Sequence, residues 1–199
     1  MNMMEIDSEV LGNTNTRNTE TDVSMANPQE NFVSNQENAP KNEQEVQEYF
    51  PEIFTNFVQE ENMNLPQCGY MRNQIDITEK MRGILIDWLV EVHLKYKLNP
   101  ETLFLTVNIV DRFLSKNIIM RTRLQLVGVS AMLIASKYED IFPPEVADFE
   151  YISDKAFTKK EIADMESQIL NSLNFSLGIS STYRFIEFYK IILNLDETI

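Results

Sequence analysis

The sequence predicts an all-α fold, a bundle of five helices with one more helix added at each end. Three observations carry this. From about residue 45 onward apolar residues recur every three or four positions, the period of an amphipathic helix. No segment shows the apolar–polar alternation of a half-buried strand. Helix starts are marked by capping residues, as in Asn99-Pro100-Glu101 and Thr158-Lys159-Lys160-Glu161.

The elements follow in order. "EQEVQEYFPEIFTNFVQEE" places Val46, Tyr49, Phe50, Ile53, Phe57 and Val58 at helical spacings. Pro51 fits only the first turn, so this helix should begin near it. "NMNLPQCGYMRNQIDIT", with Pro66 and Gly69, reads as an extended connector, after which Asp76 or Thr78 caps a long helix. That helix carries Met81, Ile84, Leu85, Trp88, Leu89, Val92 and Tyr96 on its apolar stripe. The next opens with Asn99 as cap and buries Leu103, Phe104, Val107, Val110, Phe113 and Leu114. A helix over about 121–138 starts amphipathic and becomes apolar all round, which places it mid-bundle. A short helix over about 145–152 follows Pro143 and Pro144. The Thr158–Glu161 capping box opens another, reaching about Leu173, with Ile162, Met165, Ile169, Leu170 and Leu173 inward. "NFSLGISS" breaks it, and a last helix covers about 182–193.

The chain divides into a tail over 1–44, a helix and connector over 45–76, the bundle over 77–176 and the last helix over 177–199. Residues 1–45 contain nine acids against Arg17 and Lys41. They bury too little apolar surface to offset their ordering entropy, so this stretch reads as a disordered tail, plain or regulatory. The single cysteine, Cys68, allows no intramolecular disulfide, and His93 has no second histidine to complete a metal site. No apolar run reaches the roughly 20 residues of a membrane span. The formal net charge of −14 opposes a phosphate-binding surface. Neither a Gly-rich phosphate loop nor a nucleophile–base arrangement appears. The expectation is a chain that is not an enzyme, binds no cofactor, metal, membrane or nucleic acid, and works by protein contact.

Four stretches, "MRGILIDWLVEV", "ETLFLTVNIVDRFLS", "LQLVGVSAMLIASKYEDIFPPEV" and "FTKKEIADMESQIL", lie in one continuous order. Together they resemble the N-terminal cyclin box of the mitotic A- and B-type cyclins, over roughly residues 46–195. The resemblance implies a regulatory subunit that binds and activates a cyclin-dependent protein kinase in cell-cycle control, in the nucleus and cytoplasm. It implies that Lys137 and Glu166 form a charged pair facing the kinase, with Tyr138, Ile141, Phe142 and, from the first helix, Ile53 as apolar contacts. Asn56 stands where the family often has a tyrosine.

The same resemblance makes part of the first bundle helix a shallow groove for Arg-x-Leu peptides of substrates and inhibitors. Met81, Ile84, Leu85 and Trp88 would line it, and Glu91 and Gln125 would edge it. From spacing alone that stripe is simply core. Gly83 replaces the family's usual alanine. Arg82 and Asp111 match a buried ion pair with a structural role. The last helix matches the start of a second five-helix box, so Tyr183, Phe185, Ile186, Phe188 and Tyr189 are expected to lack covering partners. The tail carries neither of the family's usual destruction signals; the single Arg-x-x-Leu, "RTRL" at 121–124, lies inside the bundle. The alternative is an all-α adaptor like the repeats of transcription factor IIB, binding nucleic acid or transcription proteins. The acidic balance and the lack of a basic helix face oppose it.

Overall fold

A computed structural model describes residues 49–193, and the expected tail and Val46 lie outside them. Seven α-helices and a single 3-10 turn make up the described residues, without strands. They are α1 (Phe50–Met63), the turn Tyr70–Asn73, α2 (Glu79–Tyr96), α3 (Pro100–Lys116), α4 (Arg121–Glu139), α5 (Val146–Ile152), α6 (Lys159–Ser172) and α7 (Thr182–Leu193). Pro51 falls in the first turn of α1, where its missing N–H costs nothing. The connector expected to be extended contains the 3-10 turn.

Helix α4 is the axis of the bundle. Every residue from Leu124 to Ser136 is buried, and α2, α3, α5 and α6 pack around it. Its two buried hydroxyls are satisfied, Ser130 donating to the Ile162 carbonyl at 3.2 Å and Ser136 to Leu133 at 3.0 Å. Gly128 sets the approach to α2. A Cβ there would lie 2.7 Å from a Leu85 methyl, a distance real structures do not tolerate.

The caps refine the expected starts. Thr78, not Asp76, caps α2, its hydroxyl accepting from the Met81 N–H. Asp76 instead accepts from the backbone N–H and guanidinium of Arg121, both at 2.8 Å, and so holds the start of α4. The Thr158–Glu161 box forms reciprocally on α6. Asn99 occupies the cap position of α3, but its side chain makes no capping bond. It donates to the Glu139 carbonyl at 3.1 Å, while the Asp140 carboxylate accepts from the Asn99 N–H at 2.9 Å and the Thr102 hydroxyl at 2.7 Å. The start of α3 is thus capped from the end of α4, and each fixes the other.

Two stripes differ from expectation. On α3 the buried face is Thr102, Leu105, Thr106, Ile109, Val110, Phe113 and Leu114. Leu103, Phe104 and Val107 lie on a second, partly open apolar face. Helix α3 is apolar on two sides, and periodicity could not say which side met the core. On α7 the expected lack of partners is corrected. Phe50, Phe54 and Phe57 of α1 pack against Phe185, Phe188 and Tyr189 with ring centroids 5.4–6.2 Å apart. Phe188 is buried as a result. Such aromatic pairs add about 0.5–1.5 kcal/mol each beyond area burial. The helix preceding the bundle therefore closes the helix that follows it. The cover is partial: Ile186, Tyr189, Ile191, Ile192 and Leu193 stay exposed.

Candidate partner-binding faces

Two of the ion pairs that join helices bear on the candidate faces. Arg82 of α2 grips Asp111 of α3 through Nε and one Nη, both at 2.6 Å. Tyr70 completes the cluster, donating its hydroxyl to Asp111 at 2.6 Å and accepting from Arg82 Nε at 3.0 Å. Burial, then the Asp111 acceptor and its charge, hold the Tyr70 phenol protonated far above its ordinary range. The hydrogen bonds to Asp111 keep Arg82 charged. Both Asp111 carboxylate oxygens and the Tyr70 hydroxyl are occupied from within the chain, which makes the cluster an internal tie. Tyr70 was missed from sequence because it lies in a non-periodic connector.

Lys137 and Glu166 form the other pair. Lys137 is the first exposed residue after the buried run of α4, and Glu166 lies on the neighbouring α6. The ammonium donates to both carboxylate oxygens, at 2.8 and 3.0 Å. The lysine side chain is 46% exposed and the glutamate 17%. An ammonium has three donors and a carboxylate four lone-pair sites, so one N–H and two acceptor positions remain for an incoming chain. Alongside, Tyr138 is exposed, and Ile141 and Phe142 stand 86% and 90% in solvent. The hydrogen bonds around Asn99 and Asp140 hold the chain that carries them. Ile53 sits half-buried on α1.

The α2 stripe is divided. Leu85 is fully buried against α4, and Gln125 is buried on α4 itself. Met81, Ile84 and Trp88 remain partly exposed and Glu91 exposed. A groove here would have the first three as walls, with Leu85 supporting it from below; the expected open Leu85 is corrected. Gly83 has nothing within 4 Å of where a Cβ would stand. His93 is structural, its Nε2 lying 2.9 Å from the Asn99 carbonyl. Arg112, also unremarked in sequence, is buried and donates to the Ser176 carbonyl at 2.9 Å, anchoring the turn after α6. Among the described residues no cluster of His, Cys, Asp or Glu could hold a metal ion. None of these helices is long and apolar enough to cross a membrane.

Residues 52–178 match the family model for the cyclin N-terminal domain. The chain belongs to the cyclin family. It is 53% identical over 139 residues to Cyclin-B2-1 of Oryza sativa subsp. japonica, covering 70% of this chain and 33% of that protein. It is 42% identical to Cyclin-A2 of Xenopus laevis, covering 94% of this chain and 46% of that one. The likeness to both A and B types agrees with the mitotic motifs. The chain thus spans between a third and a half of these relatives' length. In fold it is similar to a viral cyclin from herpesvirus saimiri, with a TM-score of 0.68 and 25% identity over 73% of this chain and 64% of the viral one.

Proposed function

We propose that this cyclin is a non-catalytic regulatory subunit that binds a cyclin-dependent protein kinase and helps switch it on in cell-cycle control. The observation that carries this reading is the open Lys137–Glu166 pair, pre-set at the end of a rigid helix and bordered by exposed Tyr138, Ile141 and Phe142. Its free donor and acceptors suit backbone groups of a kinase helix, and charge-assisted bonds fix geometry as well as adding energy. The apolar neighbours supply contact area. Pressed inward by the bundle, the kinase C-helix brings its glutamate to the kinase's own lysine, the ion pair that active kinases require. Incubating the chain with a panel of cyclin-dependent kinases, and separately with duplex DNA, tests this. Retention on a kinase with a rise in its peptide phosphorylation is expected. Retention on DNA alone would favour the transcription-adaptor reading, which the net charge of −14 opposes. The activity is placed in the nucleus and cytoplasm, and a fluorescent fusion found only in another compartment would overturn that.

The finer proposal concerns substrate choice. Met81, Ile84 and Trp88, floored by Leu85 and edged by Glu91 and Gln125, would take the leucine of an Arg-x-Leu peptide, with its arginine near Glu91. A buried leucine gains about 1.5–3 kcal/mol, while the rim charge adds little. Trp88→Ala should weaken phosphorylation of substrates carrying the motif and spare a short peptide without it. Equal loss on both, in a variant that melts normally, would remove the groove from the proposal.

A further inference from the structure

On the other side of α2 the chain forms a cleft of about 350 Å³. It lies between the end of α1, the second apolar face of α3 and the segment leading into α7. Its apolar walls are Leu65, Ile86, Leu103, Phe104, Val107 and Ile179. Leu65 and Phe104 are exposed although large and apolar.

The cleft is framed by hydrogen bonds that keep it from collapsing. Asn64, a buried polar residue at the end of α1, donates from its amide to the Gly178 carbonyl at 3.2 Å and accepts from the Ser176 hydroxyl at 3.1 Å. Its own carbonyl accepts from the Asn108 amide of α3 at 3.1 Å. Ser180 donates to Glu60 at 2.9 Å. Three separate segments are thereby held apart at fixed spacing around an apolar hollow. Its volume stands near the lower end of the range of about 300–1,000 Å³ for small-ligand sites, so it suits one or two side chains and not a large cofactor.

Charge selects the occupant. No lysine or arginine lines the cleft, whereas Glu61 and Asp111 do. Asp111 is filled by Arg82 and Tyr70. Glu61 is exposed at the mouth, without an ion-pair partner among the described residues. An acidic mouth over an apolar hollow favours an apolar side chain beside a cationic one and repels an acidic segment. The chain's own first 45 residues, with nine acids and two bases, are thereby disfavoured, and a second copy carries a net charge of −14.

We propose that this cleft is a docking site, separate from both faces described above, for a short basic–apolar segment of a partner protein. The occupant would seat a leucine or phenylalanine between Leu103, Val107 and Ile179 and direct a lysine or arginine to Glu61. Removing the charge relationship should weaken it modestly and in a salt-dependent way, because Glu61 is exposed. Filling the hollow should abolish it.

The test uses the full chain with methyl-labelled Ile, Leu and Val, titrated with the capped peptide Gly-Lys-Gly-Phe-Leu-Gly. Control peptides replace the lysine by glutamate or both apolar residues by serine. The expected result is shifts of the Leu103, Val107 and Ile179 methyls that saturate with the lysine peptide. Val107→Trp should weaken binding at least tenfold and Glu61→Lys about threefold, with unchanged melting temperatures. Val107→Leu, which leaves room, keeps binding and shows that folding is not the cause. Absence of shifts at millimolar peptide, shifts confined to Ile84 on the other face of α2, or equal binding of the glutamate peptide would each overturn the proposal.

Discussion

The two ion pairs have nearly the same contact distance and opposite characters. Arg82 and Asp111 meet at 2.6 Å with side chains 28% and 14% exposed, and Lys137 and Glu166 meet at 2.8 Å with 46% and 17%. The difference lies in what surrounds them. Tyr70 closes the Arg82–Asp111 pair by donating to Asp111 and accepting from Arg82, so a third side chain of the same chain takes up hydrogen-bonding capacity that a partner could use. The Lys137–Glu166 pair is completed by no other described side chain and keeps capacity for a partner. A salt bridge's length therefore says little about its task, and the count of unfilled donors and acceptors says more. The closed pair holds two helices together; the open one is arranged and left waiting.

The largest expected effect tests the open pair. Lys137→Ala with Glu166→Ala should cost about 2–5 kcal/mol of kinase binding, while folding stability changes by no more than about 0.5 kcal/mol. Isothermal titration with the kinase and urea melts measure both sides. Unchanged affinity in a normally folded double variant would end the assignment.

The closed pair should behave in the reverse way. Asp111→Ala strands the Arg82 charge and should destabilise the fold by about 3 kcal/mol, the low end of the buried range because Arg82 keeps some contact with solvent. Tyr70→Phe, removing one neutral partner, should cost about 1 kcal/mol. Both are read from denaturant midpoints, and kinase affinity measured on the folded fraction should hold. If Asp111→Ala weakened binding more than folding, the division between the pairs would be wrong.

A smaller effect sits beside the closed pair. Gly83 occupies the interior of α2 with open space where its Cβ would stand. Gly83→Ala should therefore stabilise by about 0.5–1 kcal/mol through the unfolded chain's lost freedom. A destabilised variant would mean that this face of α2 has less room than its geometry shows.

The smallest effect concerns acid. Hydrogen bonds from the Thr158 backbone and hydroxyl hold the Glu161 carboxyl below its usual range. Its folded pKa is the lower one, so this contribution is complete above the ordinary glutamate range and lost as pH falls through the folded value. Glu161→Gln should flatten that part of the stability–pH curve, followed by thermal melts across the acidic range. An unaltered curve would show that the capping box carries none of it.

Much of the fold was legible because helices announce themselves locally. The all-round apolar run of α4, the Pro51 start and the Thr158 box each depend on residues within a turn or two. Sites were legible unevenly. Lys137 stood out because it ends an apolar run, but its tie to Glu166 came from family likeness, since 29 residues separate them. Tyr70 and Asp140 gave no periodic signal. One lies in a connector, and the other acts on a helix 38 residues earlier in the chain. The aromatic closure of α7 by α1 was misread because helix amphipathicity shows that a face seeks cover without saying what covers it.

By itself the sequence determined the helices, their order and the buried axis, all properties of short-range pattern, while the likeness of four ordered motifs to a known family gave its membership. Tertiary structure alone decided which apolar face of α3 meets the core, that Leu85 is packed under Gly128, that α1 covers α7, and which ion pair is closed. These depend on contacts between residues far apart in the chain, where hydrophobic attraction has no direction and several pairings satisfy the same pattern. Steric fit and the filling of each hydrogen-bonding valence then select one of them.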